Sequence, residues 1–219
     1  DSTTLLIGSI SDGGSETSGI IDWPLVDLPV GSTVNRSFSV IASPTIPFAT
    51  TFSDDLQAGA GNWETFANNP NRTEWERISV NVLPNGEDDF EWYASEPNDH
   101  SDQYLTLIPT FKVGLNAELS FNHAFDTEDT WDGGQVHLST DGGLRWIDLG
   151  TRMTQNAYNS TINDNSAAPA FAGNSNGYQT TIVDLSDFMG ELVSIRFWFH
   201  ADASVGGNGW WVDDISLSD

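Results

Sequence analysis

A period-two alternation of apolar and polar residues recurs along this chain in short runs, and it constrains the fold more than any other feature. Leu119, Phe121, His123 and Phe125 mark one run, and Ile195, Phe197 and Phe199 another, each bounded by Gly, Asn, Asp or Pro. Successive side chains of an extended strand leave opposite faces, so such a run buries one face and wets the other. Many runs of this kind in one chain give an all-β, antiparallel sandwich of the jelly-roll type. Strands are expected near 3–10, 34–41, 49–52, 75–82, 89–94, 103–108, 117–125, 135–139, 145–149, 179–185, 193–201 and 210–217. Only Leu185–Met189 has the makings of a helical turn. The Asn/Ser/Ala-rich stretch Asn156–Asn176 reads as one long loop.

Two prolines in Ser43-Pro44-Thr45-Ile46-Pro47, after the plausible closing strand Ser37–Ile41, mark a boundary. The expected organisation is a β segment over 1–42, a linker over 43–47 and the main module over 48–219. Residues 1–42 hold too few strands to bury a sheet face alone. They read either as trailing strands of a partial Ig-like domain or as an extension packed on the module.

With 38% hydrophobic residues, nine Trp and twelve Phe among 219 residues, the chain can fill a core despite a net charge of −25. Seven Lys and Arg against 32 Asp and Glu leave no basic surface for phosphates, and the excess repels anionic lipid. Nucleic acid and membrane surfaces are therefore poor partners. The same excess suits a saline or calcium-rich exterior, where carboxylates are screened or coordinated. Cysteine is absent, which removes disulfides, thiol catalysis and Cys-based zinc sites. No apolar run approaches the roughly 20 residues of a membrane helix, and no signal-peptide pattern opens the chain. The expectation is a mature or excised piece of an exported bacterial protein.

Several motifs invite a catalytic reading and fail on context. Ser139-Thr140-Asp141-Gly142-Gly143-Leu144-Arg145-Trp146 has the Asp-box form, which turn chemistry explains: the Asp accepts backbone N–H groups and the glycines take positive φ. A sialidase would also need an arginine cluster, and the basic residues here are scattered. Gly173-Asn174-Ser175-Asn176-Gly177 spells Gly-x-Ser-x-Gly but lacks the preceding strand and following helix of a nucleophile elbow. His100, His123, His137 and His200 lie in separate segments and never form His-Glu-x-x-His. His123 and His137 read as half-buried strand residues with hydrogen-bonded rings rather than metal ligands.

Carboxylates remain. Asp126, Glu128, Asp129 and Asp132 fall within seven positions at the end of an apolar strand. Calcium takes six to eight oxygens, which such a loop supplies from carboxylates and backbone carbonyls, although the spacing is not that of an EF-hand. A solvated acidic loop competes with this reading, but like charges crowded beside an apolar strand favour a cation. A second candidate joins Asp54, in Phe52-Ser53-Asp54-Asp55, with Asp213 of the Asp213-Asp214 pair, if the first and last strands of the module pair. Asp213 as a cap for backbone donors is the alternative. Trp63, Trp75, Trp92, Trp131, Trp198, Trp210 and Trp211 divide between core and a possible sugar-stacking platform, which sequence does not sort.

The order of Leu119-Ser120-Phe121-Asn122-His123, Glu128, Trp131-Asp132-Gly133-Gly134, the Ser139–Trp146 turn and Gly209-Trp210-Trp211-Val212-Asp213-Asp214-Ile215 resembles the MAM-like jelly-roll modules of bacterial secreted proteins. These are also called choice-of-anchor J or cleaved-adhesin domains, and similar modules accompany the catalytic domains of immune-inhibitor-A-type peptidases. The resemblance spans roughly 47–219 and implies a calcium-stabilised accessory domain. It maps the acidic loop onto Glu128 and Asp132 and the closing strand onto Asp213. The N-terminal Phe-Glu common in such modules is Phe52-Ser53-Asp54-Asp55 here, a departure at one expected ligand.

The function expected is that of a non-catalytic, calcium-binding module of a secreted or cell-surface peptidase or adhesin. Its partners would be other domains of the parent protein, a polysaccharide or an extracellular protein. A calcium-rigidified spacer is the alternative, and a glycan hydrolase, needing two cleft carboxylates about 5–9 Å apart, ranks below both.

Overall fold

A computed structural model describes the chain except for residues 1–2, 6–10, 12–13, 18–19, 25–26, 28, 38–39, 43–49, 70–73, 83–87, 97–98 and 164–166. The linker expected at 43–47 lies outside the described residues. Two compact units emerge, Asp1–Phe48 and Ala49–Asp219. In the first, β1 (Thr3–Leu5) pairs antiparallel with β4 (Val40–Ala42), and β2 (Ser15–Thr17) with β3 (Ile20–Asp22). The Trp23 indole N–H donates to the Ser11 carbonyl at 2.9 Å, and Arg36 lies 5.9 Å above the Trp23 ring.

The second unit is an antiparallel sandwich, as the alternation predicts. Its elements in order are β5 (Phe52–Asp54), β6 (Trp63–Ala67), β7 (Glu76–Val82), β8 (Asp88–Ala94), β9 (Ser101–Leu107), β10 (Phe111–Lys112), β11 (Glu118–Asp126), β12 (Gly133–Ser139) and β13 (Ile147–Asp148). There follow β14 (Met153–Gln155), β15 (Ser160–Ile162), β16 (Ala168–Ala170), β17 (Gln179–Asp184), β18 (Leu192–Ala201) and β19 (Gly209–Ser218). One sheet runs β13-β12-β18-β9-β6, with β10 also on β18. The other runs β14-β17-β11-β19-β8-β7, with β5 also on β19. First and last strands of the module thus pair, Phe52 opposite Leu217 and Asp54 opposite Ile215.

Alternation translates directly into burial. Along β9, Ser101, Gln103, Leu105 and Leu107 face in while Asp102, Tyr104 and Thr106 face out. β11 and β18 behave alike, and their inward aromatics meet between the sheets. Phe121 packs edge-on against Phe197 at 5.1 Å, and Phe197 against Trp210 at 5.8 Å. Such aromatic pairs contribute beyond their buried area. Trp63, Trp75, Trp92 and Trp210 are all core.

The stretch read as one long loop contains instead a hairpin, β15 with β16. It lies against β12, where Gly134 and Phe171 exchange backbone hydrogen bonds at 2.9 Å. Gly134 is required there, since a Cβ would meet the Trp210 ring at 2.2 Å. Every residue of β12 is buried, Gly133–Gln135 against the hairpin and the residues that follow it. The turn expected at Leu185–Met189 is present as a 3-10 turn over Ser186–Phe188, and a second 3-10 turn, unexpected from sequence, lies at Gly150–Arg152.

Candidate functional site

Four carboxylates converge where both sheets end. Glu96 follows β8 and Glu128 follows β11, both from one sheet; Asp132 precedes β12 and Asp202 follows β18, both from the other. Ligand atoms of Glu128, Asp132 and Asp202 lie within 4.8 Å of one another. Glu96 is tied in through Oε1, which accepts the Glu128 backbone N–H at 2.9 Å. Asp132 Oδ1 accepts the Asp202 N–H at 2.6 Å, and Asp202 Oδ1 accepts the Ser204 N–H at 2.7 Å.

The loop between β11 and β12 is wound to present these groups. Backbone N–H groups of Trp131 and Asp132 return to the Glu128 carbonyl, at 3.2 and 3.0 Å, with Thr130 at a positive φ of 69°. The Thr127 hydroxyl donates to the Asp132 carbonyl at 3.0 Å and locks the turn. Gly207 lets the β18–β19 connection close over the cluster: a Cβ there would meet the Asp126 carbonyl at 2.3 Å and Glu96 Oε2 at 2.8 Å.

The electrostatics of the cluster are unfavourable by themselves. Burial, followed by the charges of Glu96 and Asp202, pushes the Asp132 carboxyl up to about 8. Burial likewise raises Glu96, with Glu128 adding like-charge repulsion. Glu96 Oε2 and Asp132 Oδ2 are buried; the two carboxyls lie within hydrogen-bond reach of each other, a contact that requires a proton on one of them, and the Gly207 N–H also approaches Glu96. Two buried carboxyls in contact are costly as a pair of carboxylates unless a proton or a cation lies between them. An all-oxygen donor set suits a hard divalent ion such as calcium, and the residues present fit one.

The residues singled out from sequence divide. Glu128 and Asp132 sit in this cluster. Asp126 borders it, its carbonyl accepting the Asn208 N–H at 2.7 Å, while its carboxylate is held by Asn174, at 2.8 Å, and by Asn208. Asp129 accepts the Ser160 hydroxyl at 2.6 Å. Asp54 uses both oxygens on protein donors, with the Leu56 N–H and the Trp63 indole N–H each at 2.9 Å and Asn62 at 3.2 Å. Asp213 lies at a bulge of β19, Oδ1 buried and unpartnered, pushed up to about 7 by burial and by Asp214, Glu91 and Asp89. Among the described residues neither Asp54 nor Asp213 joins a group of three metal-type side chains. Glu96 and Asp202 escaped the sequence reading. Each is an isolated acid just beyond a strand end, and only the pairing of strands brings them together.

The tempting catalytic motifs are occupied by structural bonds. The Ser175 hydroxyl accepts the Phe125 N–H at 3.0 Å and donates to the Phe125 carbonyl at 3.2 Å. In the Ser139–Trp146 turn, Asp141 Oδ1 accepts from the Ser139 hydroxyl and the Arg145 N–H, each at 2.9 Å, and Gly142 and Gly143 take φ of 74° and 90°. His123 sits between the sheets, its Nδ1 accepting the Trp210 indole N–H at 3.2 Å and its Nε2 facing the Thr181 hydroxyl at 2.9 Å. Burial pushes it down to about 3, so it is a neutral core residue.

Residues 50–218 match the family model of the immune inhibitor A-like MAM domain, and the chain belongs to that family. Modules of this family are accessory units alongside peptidase catalytic domains. The chain is 24% identical over 186 residues to bacillopeptidase F of Bacillus subtilis, a match covering 83% of the chain and 11% of that protein. It thus spans about a tenth of that relative. In shape it is similar to the K2 cleaved adhesin domain of Lys-gingipain, with 15% identity, TM-score 0.48 and coverage of 77% of this chain and 99% of that one. The K3 domain of the same protein from Porphyromonas gingivalis gives 15% identity and a TM-score of 0.45, over 77% and 98% of the two chains. No helix among the described residues is long and apolar enough to cross a membrane.

Proposed function

We propose that this module is a non-catalytic accessory domain of a larger exported peptidase or adhesin, held rigid by one calcium ion that ties its two sheets together. The observation that carries this reading is the convergence from both sheets of Glu128, Asp132 and Asp202, with Glu96 bonded to the Glu128 N–H and buried against Asp132. An ion at that point neutralises like charges and crosslinks three chain segments distant in sequence, which lowers the entropy of opening the sandwich end. The experiment is calorimetric titration of the full chain with calcium. One site is expected, lost in Asp132→Asn and Asp202→Asn and retained in Asp54→Asn. A titration unaltered by Asp132→Asn removes this loop from the site.

A glycan-contact role is favoured by one further observation. Phe66, Tyr104 and Trp198 are register partners across β6, β9 and β18 on an outward face. Phe66 is 57% exposed and stacked on Tyr104 at 6.0 Å and 27°. Aromatic rings set side by side on an outward strand face can stack against sugar rings. Retardation of the protein in polysaccharide-containing native gels, abolished by Trp198→Ala, is the outcome this reading expects; equal mobility across a panel of polysaccharides counts against it.

A further inference from the structure

A second side-chain cluster differs in chemistry from the carboxylate site and lies on the outward face of the β13-β12-β18-β9-β6 sheet. Asp102 of β9 and His200 of β18 are register partners, and His200 Nδ1 lies 2.9 Å from Asp102 Oδ1. His100, immediately before β9, brings its ring to 5.4 Å from that of His200 at an interplanar angle of 82°. One ligand atom from each of the three residues lies within 4.8 Å of the others.

We propose that His100, Asp102 and His200 form a binding site for a zinc-class divalent ion. Two imidazoles and a carboxylate are the donors that borderline metals take, and they are a poor set for calcium, which wants six to eight oxygens. The support around the carboxylate is of the kind that orients metal ligands. The Trp198 indole N–H donates to Asp102 Oδ1 at 3.0 Å, and Asn68 Nδ2 donates to Oδ2 at 2.6 Å. His200 is buried and fixed on its strand, whereas His100 is exposed and supplies the adjustable third donor. The cluster opens into a depression of about 360 Å³ lined also by Tyr104, Asn163, Trp198 and Asp202. A tetrahedral ion held by three protein ligands therefore keeps its fourth position toward that depression, for water or a donor from a bound partner.

Asp202 faces this depression and also belongs to the all-oxygen cluster, so the segment His200–Asp202 separates two donor sets of opposite preference. The module thus sorts a hard ion to one side and a borderline ion to the other. The alternative is that His200 and Asp102 are merely an ion pair with no affinity for metal.

The test is titration of the full chain with zinc alone, in saturating calcium, alongside visible spectroscopy of the cobalt(II)-loaded protein. One zinc per chain is expected, with intense tetrahedral cobalt absorption. Affinity should fall at least about tenfold in His100→Ala and in His200→Ala. Asp132→Asn should lose calcium and keep zinc. His100 is exposed, so its substitution reads out binding without a folding defect. Absence of zinc binding, or binding unchanged in both histidine variants, overturns the proposal.

Discussion

At the residue scale, the carboxylate site sets charge repulsion against coordination, and substitution separates the two. Asp132→Asn removes a carboxylate that burial disfavours, so in chelator the variant should melt no lower than the parent chain, while its calcium affinity drops. Gly207→Ala places a methyl group against the Asp126 carbonyl and Glu96 Oε2, at 2.3 and 2.8 Å. Calcium affinity should fall in that variant although no ligand is changed, and an unaltered titration would show that the loop yields. Asp213 makes a separate, pH-dependent prediction. Its ordinary carboxyl value of about 3.9 in an unfolded chain is raised to about 7 in the fold. A raised acid means that folding favours the protonated form, so the destabilisation grows as pH rises from about 4 through about 7 and is complete above that. Asp213→Asn, measured in chelator, should raise the melting temperature at pH 8 and leave it unchanged at pH 4. An equal effect at both pH values would contradict the assignment.

At the scale of elements, much of the sandwich was legible because burial acts at the strand period. Leu119, Phe121 and Phe125 point inward as their spacing predicts, and so do Ile195, Phe197 and Phe199. The β15–β16 hairpin was not legible. Its strands have three residues each, one carries Pro169, and their small residues show no alternation. What holds the hairpin region to the module is Phe171, fully buried, its ring 4.4 Å from His123, 4.7 Å from Tyr158 and 6.0 Å from Trp210. Phe171→Ala should cost about 3–5 kcal/mol in chemical denaturation, the range for emptying an aromatic site in a packed core. A loss below about 1 kcal/mol would mean that the hairpin is not part of the cooperative unit. The site was half legible for a related reason. Glu128 and Asp132 share one loop with Asp126 and announce themselves by density, whereas Glu96 and Asp202 are single acids whose convergence depends on β8 and β18 ending at the same edge of the sandwich.

At the scale of the whole molecule, the ion proposed at the carboxylate cluster joins sheet to sheet. A ligand that binds only the folded state stabilises it by about 2.7 kcal/mol at a hundred times its dissociation constant. In a domain of 150–250 residues each kcal/mol moves the melting temperature by about 2–4 °C. If the module is exported as proposed and sits beside a catalytic domain, such a clamp would keep it rigid there. Magnesium, which demands a tight octahedron and keeps its waters, should substitute poorly. The central claim is tested most directly by the melting temperature of the full chain in chelator and in millimolar calcium, for the parent chain and for Asp132→Asn. The account predicts a rise of about 5–10 °C with calcium in the parent and none in the variant; identical melting of the parent in chelator and in calcium would contradict it.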